Sequence, residues 1–332
     1  MLLHQTRWKR RGQPVLSAMT TRQNWCRVVL YNPSVLFHEG RYRMWYVGNS
    51  SRTRVQDTAI GYAESEDGID WAAYPGNPIL APDRLPFGSG WQTPRVLFDD
   101  EEGVFKMWFV ASSGRTEGNR AVDIVQQLGY ATSRDGLDWT IHPEPILLAG
   151  RGPCVIKDGP GQYRMWMNAP SREGGDFQNL VSNIYRFTSE DGIHWQRDAQ
   201  PAVTVDDGVR SVVYPYVLQI AESYTMWYGC HVESGFFEIY CSTSSGGLRW
   251  QHHRDRPAFP ATRNPNDFDG RYTSTPCVLS LGDEYRLYYS ARDMGNLYGS
   301  GDGCVRADGA GVYRHIGVAQ GMPRRKHERA SI

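Results

Sequence analysis

The sequence predicts an all-β fold: a five-bladed β-propeller with four-stranded antiparallel blades, closed into a ring by the N-terminal strand. Two repeated patterns lead to this prediction. A Ser-x-Asp-Gly-x-x-Trp motif or a close variant recurs four times, and five strand-like segments carry a proline at their second position. The motif copies are SEDGIDW ending at Trp71, SRDGLDW at Trp139, SEDGIHW at Trp195 and SSGGLRW at Trp250.

The first strand of each repeat is predicted at the proline. Its copies are NPSVLF from Asn32, TPRVLF from Thr93, GPCVIK from Gly152, YPYVLQ from Tyr214 and TPCVLS from Thr275. A second strand follows a short turn, as in RYRMWYV from Arg41, and its aromatic, alternating composition is typical of a strand. The third strand ends in Asp-Gly, a tight-turn signal, and the fourth begins at the motif tryptophan.

The fifth repeat ends after GVYRHIGVA from Gly311, without a fourth strand. Residues 8–16, WKRRGQPVL, match the segments that follow Trp71 and Trp139, so they are predicted to supply that strand. Closure of this kind leaves no large exposed sheet edge. The chain, 1–332, is therefore predicted to be one domain with blades at about 31–80, 92–148, 152–203, 213–259 and 274–320 plus 8–16.

Residues that recur in phase with the repeat are predicted to be scaffold. Asp67, Asp135 and Asp191 hold the same motif position, where an aspartate caps a turn by accepting nearby backbone N–H groups. The motif tryptophans are predicted to pack between blades. Acids that occur once, at strand ends or in long loops, are the better candidates for chemistry.

Composition excludes several classes of function. Lys and Arg together number 36, as do Asp and Glu, so no net charge favours nucleic acid or an anionic membrane. No run of 18 apolar residues is present, and the N-terminal MLLHQTRWKRRG lacks the apolar core of a secretory signal, which predicts a cytoplasmic protein. The six cysteines have no zinc-like spacing.

Strand order predicts which face of the ring holds a site. The loops between second and third strands open on the same face as the loops between blades, and they are the longest loops in the chain. We call this the mouth face. The opposite face carries tight Asp-Gly and Glu-Gly turns, so a binding funnel is expected at the mouth face.

The five-unit pattern resembles the five-bladed β-propeller glycoside hydrolases, such as families 32, 43 and 130, over about residues 8–320. Family 130 gives the closest local similarities: Asn32-Pro33, Pro94-Arg95, and Tyr288-Tyr289-Ser-Ala-Arg-Asp293 near that family's Tyr-Tyr-Gly-x-x-Asp. The resemblance implies cleavage of a glycosidic bond by paired carboxylates, through hydrolysis or phosphorolysis.

The catalytic acids of these families are not all matched. Thr93 stands where family 130 has a catalytic aspartate, and family 43 has carboxylates where this chain has Asn32, Thr93 and Gly152. Two other functions therefore stay open, a non-catalytic glycan-binding propeller and a propeller that binds another protein.

Four out-of-phase acids are the predicted catalytic residues. Asp207 and Asp269 lie in blade-to-blade loops, Glu233 follows MWYGCHV, and Asp293 ends the second strand of the fifth blade. Glycoside cleavage needs one carboxyl group to protonate the leaving oxygen and a second to attack or to activate water. Acids that project into one funnel would meet that need.

Five further residues are predicted to bind substrate. His231 is near a predicted acid at a spacing that turns both side chains to one side of a strand. Arg95 and Arg292 would be unusual cations near the axis unless paired with carboxylates or a bound anion. Asn32 opens the first blade, and Trp91 is predicted to stack on a sugar ring from a mouth-face loop.

No cofactor is predicted, although the sequence leaves open a structural Ca²⁺ on the propeller axis. The predicted partner is a small oligosaccharide or glycoside, with no nucleic acid and no membrane. The sequence does not set the oligomeric state.

Overall fold

The computed structural model describes residues 2–50, 57–117, 120–172, 182–205, 209–232, 236–294 and 313–324. Helix is limited there to two 3₁₀ turns, Asn24–Cys26 and Pro82–Arg84. The strands are β1 (Leu2–Arg10), β2 (Leu16–Ser17), β3 (Val29–His38), β4 (Arg41–Asn49), β5 (Ala59–Ser65), β6 (Ala72–Ala73), β7 (Gly90–Asp99), β8 (Val104–Glu117), β9 (Arg120–Ser133), β10 (Thr140–Ile141), β11 (Arg151–Gly159), β12 (Gln162–Pro170), β13 (Ser182–Ser189), β14 (Gln196–Arg197), β15 (Val209–Ile220), β16 (Ser223–Val232), β17 (Phe237–Ser244), β18 (Gln251–His253), β19 (Tyr272–Leu281), β20 (Glu284–Arg292) and β21 (His315–Arg324). Within these ranges no helix has the length and apolar character needed to cross a membrane.

The described strands group into five antiparallel blades. Strands β3 to β6, β7 to β10 and β11 to β14 form three separate four-stranded sheets. Strands β15 to β18 form the fourth blade, and β19, β20, β21 and β1 form the fifth. A parallel pairing of Phe237 with Tyr272 connects these last two blades. This arrangement confirms the predicted fold class.

The N-terminal strand closes the ring, as predicted. Strand β1 pairs antiparallel with β21, with Trp8 opposite Gly321, and Leu16 pairs with Ile316. The closing strand is longer than predicted, because it begins at Leu2 and not at Trp8. The reason is that β21 continues to Arg324 and offers a partner to the residues before Trp8. The boundaries proposed for the whole domain stay a prediction.

The Asp-Gly turns have the geometry that their sequence predicts. Asp67 Oδ1 accepts the backbone N–H groups of Ile69 and Asp70 at 2.8 and 2.9 Å, and Ser65 Oγ accepts that of Gly68. Asp135 and Asp191 make the same bonds. The turn glycines adopt the left-handed conformation that an Asp-Gly turn requires: φ is 73° at Gly68, 81° at Gly136, 77° at Gly192 and 72° at Gly247. The motif aspartates are therefore turn caps.

Each turn also docks against the neighbouring blade. The indole nitrogen of Trp45 donates to the Gly136 carbonyl at 2.8 Å, and that of Trp108 donates to the Gly192 carbonyl at 2.7 Å. At four blade junctions a motif tryptophan, and at the fifth Trp8, packs edge-on against a second-strand aromatic ring, a favoured geometry for buried rings. The pairs are Trp45–Trp139, Trp108–Trp195, Trp166–Trp250, Trp227–Trp8 and Tyr288–Trp71, at interplanar angles from 73° to 90°. Trp8 thus makes at ring closure the contact that the motif makes elsewhere.

Gly136→Ala tests this joint. A Cβ atom at Gly136 would lie 2.8 Å from Trp45 Cζ2, and φ is 81°, so the substitution is expected to lower the free energy of unfolding by about 2 kcal/mol or more. Gly246→Ala is the matched control, since its Cβ would meet nothing within 4 Å, and a change within about 0.5 kcal/mol is expected. Denaturant unfolding measures the free energy of unfolding of both variants. Equal losses would contradict the proposed contact between the Gly136 turn and Trp45 of the neighbouring blade.

Candidate functional site

The five inner strands, β3, β7, β11, β15 and β19, meet around the axis, and each has an irregular register just before its proline. The residue before each proline has a positive φ: 53° at Asn32, 43° at Thr93, 61° at Gly152, 57° at Tyr214 and 45° at Thr275. We call these residues the pre-proline ring. A bulge of this kind re-aims side chains. Non-glycine residues pay about 1–3 kcal/mol for such a backbone, and strain of this size is concentrated at functional sites.

Two side chains of the pre-proline ring are buried without a hydrogen-bond partner in the protein. Asn32 is 2% exposed and Thr93 is 7% exposed. The Asn32 side-chain oxygen and nitrogen and the Thr93 hydroxyl are all unpaired within the described residues. Both residues line an axial cavity of about 40 Å³. A buried polar group without a partner destabilises a fold by about 1–3 kcal/mol, so these atoms point to a polar ligand.

A second ring lies directly after the prolines and consists of Ser34, Arg95, Cys154, Tyr216 and Cys277. These side chains connect neighbouring blades across the axis. Val96 N–H donates to Ser34 Oγ at 2.9 Å, Val217 N–H to Cys154 Sγ at 3.1 Å, and Val35 N–H to Cys277 Sγ at 3.3 Å. We call this the post-proline ring. Its small side chains are explained by blade-to-blade contacts.

An aromatic cluster lies where blades four, five and one meet on the mouth face. Its members are Tyr31, Tyr214, His231, Phe237, Tyr272 and Tyr313, and we call it the mouth cluster. Tyr31 stacks on Tyr313 with ring centroids 5.6 Å apart, and His231 packs edge-on to Tyr272 at 5.8 Å. The Arg292 guanidinium lies 4.1 Å from the Tyr272 ring centroid, a cation–π distance.

Three of the predicted substrate-binding residues therefore come together. His231 and Arg292 hold equivalent strand ends in blades four and five and share Tyr272 as a neighbour. Asn32 follows Tyr31 of the mouth cluster, and its backbone N–H donates to Ser290 Oγ at 2.8 Å. His231 Nδ1 is fixed by Ser211 Oγ at 2.9 Å. Sequence reasoning missed Tyr272 and Tyr313, although both lie where inner and third strands reach the mouth face.

Asp293 lies at the mouth-face end of β20 with a side chain 20% exposed. Arg314 Nη2 donates to one carboxylate oxygen at 2.7 Å, and His315 Nε2 lies 3.1 Å from the other. Burial raises the pKa of Asp293, but the hydrogen bonds from His315 and Arg314 outweigh burial and lower this pKa to about 2. Asp293 is therefore ionised at neutral pH, which suits a base or nucleophile and not a proton donor.

Asp269 does not have the predicted catalytic environment. Its side chain is 1% exposed and forms an ion pair with Arg10 of the closing strand. The Tyr289 hydroxyl donates to the same carboxylate at 2.8 Å. A carboxylate sealed in this way cannot reach a substrate, so the prediction is corrected: Asp269 fastens the N-terminal strand to the loop between blades four and five.

Trp91 is also misplaced by the sequence prediction. It lies inside β7 and is fully buried, with its ring centroid 4.5 Å from that of Phe109. Its indole nitrogen donates to the Ala81 carbonyl at 2.9 Å. Trp91 is a core residue because β7 starts earlier than predicted, at Gly90. Neither face of its indole ring is accessible to a sugar.

Two of the predicted acids, Asp207 and Glu233, lie outside the described residues. The described donor set on the axis does not fit Ca²⁺, which takes six to eight oxygen ligands, several of them carboxylates. The cavity offers Asn32, Thr93 and Ser34 oxygens beside the Arg95 guanidinium. In the part of the chain that the structure describes, no group of three or more His, Cys, Asp or Glu side chains could hold a metal ion.

Comparison with known proteins places the chain in a family. No family model matches the sequence. The chain is 30% identical over 305 residues to uncharacterized protein Rv1502 of Mycobacterium tuberculosis (strain ATCC 25618 / H37Rv), a match that covers 85% of this chain and 94% of Rv1502. The chain belongs to the Rv1502 family. A second member, uncharacterized protein MT1551 of M. tuberculosis (strain CDC 1551 / Oshkosh), is 32% identical over the same length.

Solved structures share the fold of this Rv1502-family protein. BT0996, solved as an RGII complex, superposes with a TM-score of 0.71 at 16% identity, over 99% of the Rv1502-family protein and 95% of BT0996. A glycoside hydrolase of the GH130 family of mannoside phosphorylases, described as targeting β-1,2 mannosidic linkages in Candida mannan, gives 0.65 at 17% identity over 94% and 93%. A thermostable family-43 glycoside hydrolase gives 0.63 at 16% identity over 87% and 88%. The Rv1502-family protein therefore has the glycoside hydrolase propeller fold.

Proposed function

We propose that this protein cleaves a glycosidic bond in a small oligosaccharide or glycoside that binds at the mouth face. One observation carries the proposal: the unpaired, buried side chains of Asn32 and Thr93 lie at the axis beside the mouth cluster. Polar groups without partners next to aromatic rings match the surface of a sugar, which has hydroxyl edges and apolar faces. The fold, shared with glycoside hydrolases, supports the same substrate class.

Each described side chain has a distinct task in this proposal. Tyr214 and Tyr313, the partly exposed tyrosines of the mouth cluster, provide apolar surface for a sugar ring, and His231 donates to hydroxyl groups at its edge. Arg292 and Tyr272 are buried and pack against Tyr313 and His231, which holds these side chains in place. The Asn32 amide has two N–H groups and an accepting oxygen, so a sugar hydroxyl can bond the oxygen and one N–H while the second N–H stays available in the axial cavity. Substrate binding then removes the free-energy penalty of burying these groups alone.

The chemistry requires two carboxyl groups. Asp293, held ionised by Arg314 and His315, is the proposed base or nucleophile. A second carboxyl group must protonate the leaving oxygen, and the candidates are Asp207 and Glu233, which the sequence predicts to lie in mouth-face loops. A separation of about 5 Å between the two carboxyl groups predicts retention of anomeric configuration, and about 6.5–9.5 Å predicts inversion.

A substrate panel tests the proposal. Aryl glycosides and small oligosaccharides are incubated with the purified protein, with and without inorganic phosphate, and released sugar is quantified. We expect turnover of at least one class, with a sugar phosphate as product if phosphate is the acceptor. Binding of a glycan without turnover would instead support a glycan-binding propeller, which the absence of a carboxylate from the pre-proline ring favours. No binding and no turnover across the panel would contradict both.

A further inference from the structure

Arg95 belongs to the post-proline ring and lines the axial cavity. Its Nε and Nη2 groups donate to the Val155 carbonyl at 3.3 and 3.2 Å, and Nη1 donates to the Tyr216 hydroxyl at 3.0 Å. A guanidinium has five N–H donors. Two of them, one on each Nη atom, are therefore left over from these bonds, and Arg95 borders the axial cavity.

No carboxylate of the described residues compensates this charge. The titratable groups that face Arg95 are Tyr216, Cys154 and Cys277, one from each of three other blades. Burial raises the pKa of the Tyr216 phenol and of both thiols, more than the nearby guanidinium lowers them. All three groups are thus neutral at physiological pH, while Arg95 is always charged.

The other side chains at this cavity supply donors. The Asn32 amide nitrogen and the Thr93 hydroxyl are buried and unpaired, and both border the same cavity as Arg95. One cation with two spare N–H groups, one amide and one hydroxyl form a donor-rich pocket whose described lining contains no acidic residue. Uncompensated buried charge is unfavourable, and a bound anion relieves it.

Charge selects the class of anion. The cavity, of about 40 Å³, has space for about three water-sized positions, since one water needs about 10–15 Å³ on this measure. One guanidinium without a counter-charge matches one negative charge, whereas a doubly charged oxyanion would leave an excess charge buried in the cavity. We propose that the axial cavity binds a monovalent anion of the halide class, held by Arg95 together with Asn32 and Thr93.

Halide-dependent stability tests the site without any need for a substrate. Melting temperatures are measured in sodium gluconate, chloride, bromide and sulfate at constant ionic strength. We expect a saturating rise of about 3 °C with chloride and bromide relative to gluconate, whereas sulfate should give only the gradual, non-saturating rise that follows from its exclusion from protein surfaces. A melting temperature without a saturating rise in chloride and bromide would overturn the proposal, whatever the outcome of the glycosidase assay.

The protein offers a matched control for the arginine. Arg164 also donates to a tyrosine hydroxyl, Tyr224, at 3.0 Å and stacks on its ring, but it has a carboxylate partner in Asp158. Arg95→Met should abolish the halide response, whereas Arg164→Met should keep it. If Arg95→Met does not fold, anomalous diffraction from wild-type crystals grown in bromide tests whether the site is occupied. An anomalous peak at the Arg95 Nη atoms supports the site, and its absence there refutes it.

Discussion

Asp269→Asn is expected to destabilise the protein strongly. The carboxylate is 1% exposed and joins Arg10 of the closing strand to Tyr289 of β20, so its loss leaves a guanidinium without its counter-charge. Arg10 also donates to the Pro260 carbonyl and stacks on Phe259, which keeps the cation in place after the substitution. Removing one partner of such a pair lowers the free energy of unfolding by about 3 kcal/mol or more.

The appropriate control is a second ion pair of the same closing segment. Arg11 and Asp70 lie 3.6 Å apart, with an Asp70 side chain that is 83% exposed. Solvent screens this pair, so Asp70→Asn should change the free energy of unfolding by less than about 0.5 kcal/mol. Denaturant unfolding followed by tryptophan fluorescence measures both variants. If Asp269→Asn were as stable as wild type and lost turnover instead, Asp269 would be a catalytic residue, as its place in the sequence predicts.

The face opposite the mouth face carries the Asp-Gly turns, and we call it the turn face. It can be predicted from sequence because its hydrogen bonds join residues close together in the chain. In three of the four motif copies an aspartate caps backbone groups two and three residues away, and in all four the following glycine supplies the left-handed φ that the turn needs. A motif tryptophan, or Trp8 at ring closure, packs against the neighbouring blade at each junction, so the same contact recurs five times. Even ring closure can be predicted, since Trp8 carries the same local signature.

The mouth face is harder to predict because its contacts connect different blades. An acid that does not recur in the repeats is a candidate catalytic residue when only the sequence is known. Asp269 does not recur for another reason: it pairs with Arg10 of the closing strand, and the ring closes at only one blade. The sequence predicts a loop at Trp91, since strand starts are poorly marked by composition. The recurring proline is visible in the sequence, but the positive φ before it is not, because a residue before proline normally adopts an extended conformation.

The turn face therefore stabilises the fold, whereas the axis and the mouth face carry the candidate ligand site. The turn-capping carboxylates are satisfied, since Asp67, Asp135 and Asp191 all accept backbone N–H groups. The indole nitrogens of Trp71, Trp166 and Trp227 at the blade joints are buried without a partner among the described residues, but their rings are packed between blades. Around the axis the pre-proline ring combines unusual φ angles with unpaired Asn32 and Thr93 side chains. The blade joints hold that strained arrangement in place, which is the pattern expected when a rigid scaffold positions a ligand site.

Asp293→Asn is the substitution with the largest expected effect on turnover. If Asp293 is the base or nucleophile, an uncharged amide cannot take a proton or attack, and the rate should fall by about 10²-fold to 10⁴-fold. The fold should survive, because Arg314 and His315 can still bond the amide oxygen of asparagine. Asp267→Asn is the control: Asp267 lies in the blade-to-blade loop before β19 and accepts from Asn264 Nδ2 at 3.2 Å, so its loss should leave the rate unchanged.

A stability readout separates the charge of Asp293 from its chemistry. Its folded-state pKa of about 2 is below the ordinary 3.8, so the ionised form contributes stability above about pH 4 that is lost as the pH falls toward 2. At neutral pH this contribution is about 2 kcal/mol, and Asp293→Asn should remove it. The stability difference between wild type and variant should then shrink on acidification. A variant with full turnover and this same pH-dependent loss would show that Asp293 only anchors Arg314 and His315, and the proposed base or nucleophile would have to be another acid of the mouth face.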